Sequence, residues 1–416
     1  MNYTPHIPPS LSATIQLPSS KSLSNRALLL SAMSGPDSSV ERMSACDDTF
    51  VMWRALTERT HVIDIMAAGT AMRFLTAFFA ACPGEEHIMT GTERMRQRPI
   101  AVLVDALRQL GADISYEANE GFPPLCIKGR ELKGGNITLP ANVSSQYISA
   151  LLMVAPVMTE GLELHLEGNI ISRPYINMTV SMMRSFGADV QWTDEQTLCV
   201  KRQSYRPDVI YAIESDWSAA SYWYEMMALA PDAHSRIVLP WLHADSLQGD
   251  SAVRCYFEPL GVVTSFDAEH DCAILTRSAQ HLLPEGETYE LNLVNQPDLA
   301  QTLVVTCALL RRPFRFTGLQ SLRIKETDRM AALQNELAKF DIALHIENDD
   351  TLYIKEYAEN TPRYNGTPIA TYHDHRMAMA FAPACMVCEG VEIADSEVVS
   401  KSYPKFWDNI EQLLAL

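Results

Sequence analysis

The chain has 416 residues, with 33 lysines and arginines against 51 aspartates and glutamates, so its formal net charge is −18. Hydrophobic residues make up 47% of it, and no run approaches the roughly 18 apolar residues of a membrane span, which excludes a disordered or membrane-spanning chain. The acidic balance also excludes a nucleic-acid partner, which binds basic surfaces. A single core stops growing near about 250 to 300 residues, so this length predicts two domains.

The N-terminal segment and the cysteines indicate a reducing compartment. Residues 1–20 include four prolines and lack a basic stretch followed by an apolar one, so no secretory signal is predicted and the cytoplasm is the default location. The nine cysteines are odd in number and lie mostly within apolar runs, which is typical of reduced core residues. Cys385 and Cys388 have the spacing of a metal or redox pair, but no second pair accompanies them.

Two helix types alternate along the chain. The first is amphipathic and is followed by a short strand-like run after Gly111, Gly187 and Gly261, with a degenerate copy at Asp341. Spacings of 76, 74 and 80 residues indicate a repeat, and glycine suits the left-handed position that ends a helix. The second type is apolar all round and is therefore predicted to be buried, at 70–81, 146–157, 218–230, 298–310 and 376–387. We predict six α+β modules, three in each domain.

Several short motifs place cations and hydroxyls at predicted helix starts. A helix that begins near Ser22 puts Ser22 and Arg26 on one face with Lys21 at its entry, and the backbone N–H groups there favour an anion. In 69–73, glycine permits close backbone approach to a phosphate or carboxylate. The alternatives are plain capped helices and, for the arginines below, a solvated loop. The other segments are Arg94, Arg96 and Arg98 before Pro99 near a helix start, Ser144-Ser145-Gln146, and Ser172-Arg173-Pro174-Tyr175.

Two carboxylates are candidates for proton transfer. Glu326 lies three residues before Arg329 and next to Lys325, which predicts either a salt-bridged helix start or a site where the cations hold an anion while Glu326 transfers a proton. Asp298 is the second candidate, although its position also suits a helix N-cap.

Two further motifs lie near the C-terminus. Arg376 and Lys401 add two cations. His373 and His375 have the spacing of a metal pair on a strand, but no third ligand set is evident, so no metal site is predicted.

In this order, the motifs closely resemble the 5-enolpyruvylshikimate-3-phosphate synthase family, over the chain from about residue 15 onward. Each motif alone is weak, whereas so many in one order are specific. The segments that carry the resemblance are 20–27, 69–73, 98–99, 144–146, 171–176, 297–298, 325–329, 374–379 and Lys401.

The resemblance implies a fold, a domain division and a reaction. The fold is a two-domain inside-out α/β barrel of six βαβαββ modules, with one domain of 1–18 and 215–416, the other of 19–214, and the active site in the cleft between them. The reaction transfers the enolpyruvyl group of phosphoenolpyruvate to the 5-hydroxyl of shikimate 3-phosphate and releases phosphate, on the pathway to chorismate. No cofactor is needed, and we expect a cytoplasmic monomer that binds these two substrates.

Residue roles follow from this resemblance alone. Asp298 is the implied base and Glu326 the implied acid, while Lys21, Lys401 or His375 assist the elimination. The implied ligands of shikimate 3-phosphate are Lys21, Ser22, Arg26, Ser144, Ser145, Gln146, Ser172, Tyr175, Asp298, Ser321 and Lys325. The implied ligands of phosphoenolpyruvate are Lys21, Gly69, Thr70, Arg73, Arg98, Arg329, Arg376 and Lys401. Eight of these side chains are cationic, which nearly balances the roughly six negative charges of the two substrates.

The sequence departs from the family pattern at positions that bear on phosphoenolpyruvate affinity and on sensitivity to glyphosate, the inhibitor that occupies its site. Ala67 stands where the family has asparagine, Phe74 where proline is common, and Ser321 where asparagine is frequent. The sister UDP-N-acetylglucosamine enolpyruvyl transferase is the alternative enzyme, but its hallmark cysteine has no counterpart in 92–99. A non-catalytic anion-binding relative is disfavoured, because anion binding alone requires no carboxylates among the cations.

Overall fold

The structure is a computed structural model that describes residues 1–284 and 286–414. The chain divides into two compact units, one of Met1–Pro18 with Glu214–Leu416 and one of Ser19–Ile213. We call the first the discontinuous unit and the second the continuous unit, because the first is built from two separate stretches of sequence.

Helices alternate with short strands throughout both units. The strands are β1 (Ser12–Thr14), β2 (Ser39–Glu41), β3 (Val62–Asp64), β4 (Glu86–Thr90), β5 (Asp113–Tyr116), β6 (Leu125–Lys128), β7 (Gly135–Pro140), β8 (Leu162–Glu167), β9 (Val190–Trp192), β10 (Thr197–Val200), β11 (Ile210–Ala212), β12 (Arg236–Pro240), β13 (Val262–Asp267), β14 (Cys272–Arg277), β15 (Tyr289–Asn292), β16 (Phe314–Thr317), β17 (His345–Glu347) and β18 (Thr351–Ile354). The α-helices are α1 (Lys21–Ser34), α2 (Asp47–Glu58), α3 (Gly69–Ala80), α4 (Glu93–Arg96), α5 (Ala101–Gln109), α6 (Ser145–Val154), α7 (Arg173–Ser185), α8 (Trp217–Leu229), α9 (Val253–Phe257), α10 (Ala300–Leu309), α11 (Arg329–Leu337), α12 (His375–Phe381) and α13 (Phe406–Gln412).

Four sheets share one topology, which is the structural form of the sequence repeat. Their strand orders are β3-β4-β6-β5 and β7-β8-β10-β9 in the continuous unit, and β1-β12-β14-β13 and β15-β16-β18-β17 in the discontinuous unit. In each, the first two strands are parallel and the last two form an antiparallel hairpin. The remaining two modules are abbreviated: β2 pairs in parallel with β11, and Ile393 forms isolated bridges with Tyr3 and Ile369.

The all-apolar helices lie in the cores, as their composition predicts. Every residue of α10 is buried, and α3, α6, α8 and α12 are buried almost throughout. Strand β8 alternates buried and exposed residues, so one face of its sheet packs inward and the other meets solvent. Buried helices beneath one-sided sheets form the inside-out α/β architecture. Helix α10 starts two residues later than predicted, because Pro297–Leu299 form a 3-10 turn.

Left-handed residues end the amphipathic helices of the repeat. Gly111, Gly187 and Gly261 have φ of 104°, 89° and 86°, and Asp341 in the degenerate copy has φ of 59°. The predicted glycine position is therefore confirmed. Aspartate keeps the same backbone conformation because its short polar side chain tolerates it better than most.

The cysteines depart in part from the sequence prediction. All nine are free thiols, and Cys46, Cys272 and Cys307 are buried, but Cys255 is exposed, so the prediction of core residues is wrong there. Within the described residues, no cluster of three or more His, Cys, Asp or Glu has the arrangement of a metal site. A search of the same residues finds no helix long and apolar enough to cross a membrane.

A buried carboxyl group makes the stability of the discontinuous unit depend on pH. Glu225 lies in α8 and is fully buried, and no cation pairs with its carboxyl group among the ion pairs of the described residues. Burial raises the pKa of Glu225 well above its ordinary value. The unfolded chain ionises this group at its ordinary pKa while the folded protein keeps it neutral. The free energy of unfolding therefore falls as pH rises above the ordinary pKa.

We expect Glu225→Gln to stabilise the protein at about pH 8 and to have a much smaller effect at about pH 4. Glutamine has the same shape as glutamate but cannot ionise in the unfolded chain. The measurement is the midpoint of urea unfolding at both pH values. Exposed Glu356→Gln is the matched control and should show no such pH dependence. Equal behaviour of the two variants would contradict a neutral buried Glu225.

Candidate active site

The start of α1 brings Lys21 to a carboxylate that the sequence analysis did not single out. Ser20 caps the helix by accepting the Leu23 N–H at 3.4 Å, and Lys21 is the first helical residue. Lys21 Nζ lies 3.1 Å from Oδ2 of Asp48, which is buried in the first turn of α2. The one sequence signal for Asp48 is the acidic pair Asp47-Asp48, which any helix start favours.

Arg26 lies inside the continuous unit. It is 2% exposed, and it donates from Nε to Thr179 Oγ1 at 2.7 Å, from Nη2 to Ser149 Oγ at 3.2 Å and from Nη1 to the Ser22 carbonyl at 2.9 Å. Its guanidinium lies 5.2 Å from the ring centroid of buried Phe74. Because these partners are neutral, burial lowers the pKa of Arg26 to about 10. Helices α1, α3, α6 and α7 meet at this cation.

The start of α3 lies against two guanidinium groups. A Cβ atom on Gly69 would lie 2.7 Å from Arg98 Nη1 and 3.2 Å from Arg73 Nη1, so a side chain at this position would displace the guanidinium groups. Arg73 also donates from Nη1 to the Gly69 carbonyl at 3.0 Å. The structure thus brings Gly69, Arg73 and Arg98 together.

The arginine-rich segment differs from the sequence prediction. Arg94 and Arg96 are exposed on the short helix α4, and of the three arginines it is Arg98 that lies against Gly69. Pro99 precedes the start of α5 instead of lying in its first turn. Outside the helix, the Pro99 carbonyl accepts hydrogen bonds from the Tyr147 hydroxyl at 2.6 Å and from Arg73 at 3.4 Å, which joins α3 to α6.

Hydroxyl and amide groups line the start of α6. Ser144 caps the helix by accepting the Gln146 N–H at 3.4 Å, and Ser145 is its buried first residue. Gln146 Nε2 donates to Thr70 Oγ1 at 3.0 Å, so α6 and α3 present their N-termini side by side.

Ser172 has an unusual backbone conformation before α7. Its φ is 54°, and its hydroxyl makes no capping bond to the helix, although its carbonyl accepts the Tyr175 N–H at 3.0 Å. A left-handed conformation costs a non-glycine residue about 1 to 2 kcal/mol, and such positions concentrate at binding sites.

In the discontinuous unit, Arg329 joins three carboxylates. Its side chain is 2% exposed; Nε donates to Asp374 Oδ2 at 2.7 Å, Nη1 to Asp298 Oδ1 at 3.0 Å, and Nη2 to Glu326 Oε2 at 2.9 Å. Burial opposes the charge, but Asp374, Glu326 and Asp298 outweigh it and raise the pKa of Arg329. The sequence predicts no role for Asp374, because an aspartate before a helix usually only caps it.

Asp298 accepts from cations and does not cap a helix. Besides Arg329, its carboxylate lies 3.1 Å from Arg376 Nη2 and 3.4 Å from Lys325 Nζ. Burial raises the pKa of Asp298, but Arg376, Lys325 and Arg329 together outweigh it and hold the pKa far below its ordinary value. The competing N-cap interpretation is wrong, because the 3-10 turn turns this side chain toward the cations.

Glu326 shares its two oxygens between two cations. Oε2 accepts from Arg329, and Oε1 lies 3.3 Å from Lys401 Nζ. The salt-bridged arrangement predicted for this segment is present, but Glu326 lies before α11, whose cap is Asp328. Ser321 lies in the preceding 3-10 segment, half-buried.

The start of α12 also contributes to the cluster of charged side chains around Arg329. Asp374 caps the helix by accepting the Arg376 N–H at 2.9 Å, and Nδ1 of buried His375 lies 3.7 Å from Asp374 Oδ1. His373 is exposed in the turn before the helix. The His-x-His segment is therefore a turn and a helix start, not the strand that a metal pair requires.

Comparison with known proteins identifies the family. The family model described as EPSP synthase (3-phosphoshikimate 1-carboxyvinyltransferase) matches residues 56–410. The chain is 52% identical over 415 residues to the 3-phosphoshikimate 1-carboxyvinyltransferase of Bacteroides fragilis strain YCH46, covering 99% of this chain and 98% of that one. It is 34% identical to the protein of the same name from Haemophilus influenzae strain PittEE, covering 97% of each chain.

Solved structures agree at the level of the fold. The structure is similar to EPSP synthase from Acinetobacter baumannii, with a TM-score of 0.77 and 19% identity, covering 99% of this chain and 97% of that one. The relatives in sequence and the shared fold lead to one conclusion: the chain belongs to the EPSP synthase family of 3-phosphoshikimate 1-carboxyvinyltransferases.

Proposed function

We propose that the protein transfers the enolpyruvyl group of phosphoenolpyruvate to the 5-hydroxyl of shikimate 3-phosphate and releases phosphate. The observation that carries this proposal is the pair of carboxylates, Asp298 and Glu326, held on one guanidinium. Addition removes a proton from the 5-hydroxyl and delivers one to the methylene carbon, so a base and an acid are both needed. Loss of a methyl proton and of phosphate then completes the elimination.

The charge of the cluster in the discontinuous unit suits an anionic substrate. Its four cations are Lys325, Arg329, Arg376 and Lys401, and its three carboxylates are Asp298, Glu326 and Asp374, for a net charge of +1. Phosphoenolpyruvate brings roughly −3 in phosphate and carboxylate together. Binding it therefore favours protonation within the cluster, and we assign that proton to Glu326, the proposed acid.

Substrate binding also activates the proposed base. In the free protein, neighbouring cations hold the pKa of Asp298 so low that its carboxylate is a weak base. Substrate anions beside Arg329, Arg376 and Lys325 offset the field of those cations, which raises the basicity of Asp298 when the 5-hydroxyl is present. Lys401 and His375 are proposed to assist the elimination, as their contacts to Glu326 and Asp374 support.

The continuous unit is proposed to supply the remaining substrate ligands. Gly69, Thr70, Arg73 and Arg98 suit phosphoenolpyruvate, because guanidiniums and a helix N-terminus come together there. Lys21 is proposed to contact both substrates. The proposed ligands of shikimate 3-phosphate in this unit are Ser22, Arg26, Ser144, Ser145, Gln146, Ser172 and Tyr175, and those in the discontinuous unit are Asp298, Ser321 and Lys325. Arg26 also holds the helices of its unit together.

We also propose that the protein is a cytoplasmic monomer. The nine free thiols, including Cys385 and Cys388, support a reducing compartment.

Phosphate release tests the reaction. We expect release when phosphoenolpyruvate and shikimate 3-phosphate are both present, and none when either is omitted or when UDP-N-acetylglucosamine replaces shikimate 3-phosphate. Proton NMR of the product should show the vinyl ether. No release with shikimate 3-phosphate at any enzyme concentration would exclude the proposed reaction.

Isosteric substitution of the carboxylates tests the acid and base. We expect Asp298→Asn and Glu326→Gln each to lower kcat about 100-fold or more, since proton transfer is worth about that much. Shikimate 3-phosphate should still bind both variants in calorimetry. The control is Asp349→Asn, which removes a surface carboxylate paired with Arg323. Near-normal turnover of either site variant would refute its assigned role.

A substitution of Phe74 tests whether its ring stabilises the guanidinium of Arg26. We expect Phe74→Leu to raise KM for shikimate 3-phosphate about 3-fold to 30-fold, because the guanidinium loses its aromatic partner in a desolvated site. The matched control is Phe79→Leu, since Phe79 is equally buried in α3 but its ring contacts that of His87, at 4.2 Å between ring centroids. An equal rise in both variants would mean that cavity formation, not the contact to Arg26, is responsible.

A further inference from the structure

The turn before α12 is backbone-strained. The Asp374 N–H donates to the Thr371 carbonyl at 2.8 Å, and the two residues between them, Tyr372 and His373, have φ of 53° and 55°. Two left-handed central residues define a type I′ turn, which glycine, asparagine and aspartate usually occupy. Tyrosine disfavours this conformation, so the surrounding structure must hold it.

A buried carboxylate on α11 holds the turn. Glu336 is 1% exposed and accepts hydrogen bonds from the Ala370 N–H at 2.9 Å, the Tyr372 hydroxyl at 2.8 Å and Lys339 Nζ at 2.6 Å. Lys339 Nζ also donates to the Pro368 carbonyl at 2.8 Å, so the same pair fixes the chain ahead of the turn.

Residues at both ends of helix α11 therefore hydrogen-bond to the segment that contains the turn. Arg329, its first residue, bonds Asp374 at the end of the turn, while Glu336, near its last residue, bonds Ala370 before the turn and Tyr372 within it. The turn leads directly into Arg376, whose guanidinium contacts Asp298. A shift of the turn would move Asp374 and Arg376 together.

We propose that Glu336 is a positioning residue for the reaction: through Tyr372 it locks the strained turn and thereby sets the place of Asp374 and Arg376. This inference rests on the proposed role of Arg376 in binding phosphoenolpyruvate. The hydrogen bonds of Glu336 go to Lys339, Ala370 and Tyr372, none of which is a proposed substrate ligand.

Two variants test the proposal: one changes Tyr372 and the other changes Glu336. Tyr372→Phe removes the hydrogen bond to Glu336 and keeps the ring, and Glu336→Gln keeps the shape but removes the negative charge and one of the two accepting oxygens that Lys339, the Ala370 N–H and the Tyr372 hydroxyl share. We expect each to lower kcat/KM for phosphoenolpyruvate about 10-fold or more, with a larger rise in KM for phosphoenolpyruvate than for shikimate 3-phosphate.

Matched variants separate positioning from stability. Tyr364→Phe removes a hydroxyl that donates to the Thr367 carbonyl at 2.7 Å in the same region, and it should leave both KM values unchanged. His373→Asn places a residue that type I′ turns favour in the exposed central position of the turn. We expect it to restore most of the lost kcat/KM in the Tyr372→Phe background and to have little effect alone.

The outcomes are distinguishable from those of the proposed function. Arg376→Lys should raise KM for phosphoenolpyruvate, and no effect would refute the proposed role of Arg376 and, with it, the positioning role that rests on it. If Arg376→Lys has that effect while Tyr372→Phe and Glu336→Gln behave like Tyr364→Phe, the positioning role is refuted. Failure of His373→Asn to rescue, with unfolding midpoints lowered in proportion to activity, would also refute it.

Discussion

The candidate active site of the discontinuous unit depends on one buried guanidinium, that of Arg329. A buried charge is costly, and this one persists because Asp374, Glu326 and Asp298 surround it. Removal of one partner from such a group typically costs about 3 to 5 kcal/mol, since the charge left behind is uncompensated. The segments before α10, α11 and α12 are therefore tied to one point. The proposed acid and base are therefore both held by the same guanidinium.

The continuous unit is organised around a buried arginine of opposite character. Arg26 is surrounded by hydroxyls, carbonyls and the ring of Phe74, so burial lowers its pKa, whereas carboxylates raise that of Arg329. Buried arginines thus have two different roles in this protein. Arg329 organises charges that take part in the proposed chemistry, and Arg26 organises helices whose starts carry the proposed substrate ligands.

Much of the fold could be predicted from the sequence, because periodicity reports burial. The apolar stretches became the buried helices, and Gly111, Gly187, Gly261 and Asp341 all adopt the left-handed conformation that their spacing indicated. Helix ends were less predictable, as the 3-10 turn at Pro297–Leu299 shows. The abbreviation of two modules was not predictable either, since strand pairing depends on residues distant in sequence.

The sequence by itself determined the family, the module repeat and the set of cations and carboxylates, because those depend on residue type and order. Tertiary structure decided which of these groups meet. It placed Asp48 beside Lys21 and Asp374 beside Arg329. It surrounded Asp298 with three cations instead of leaving it as a helix cap. It also placed Glu336, which belongs to none of the sequence motifs, in contact with Tyr372. Side chains far apart in the chain become partners only where the fold buries them together, and at these sites burial sets both the pKa and the geometry.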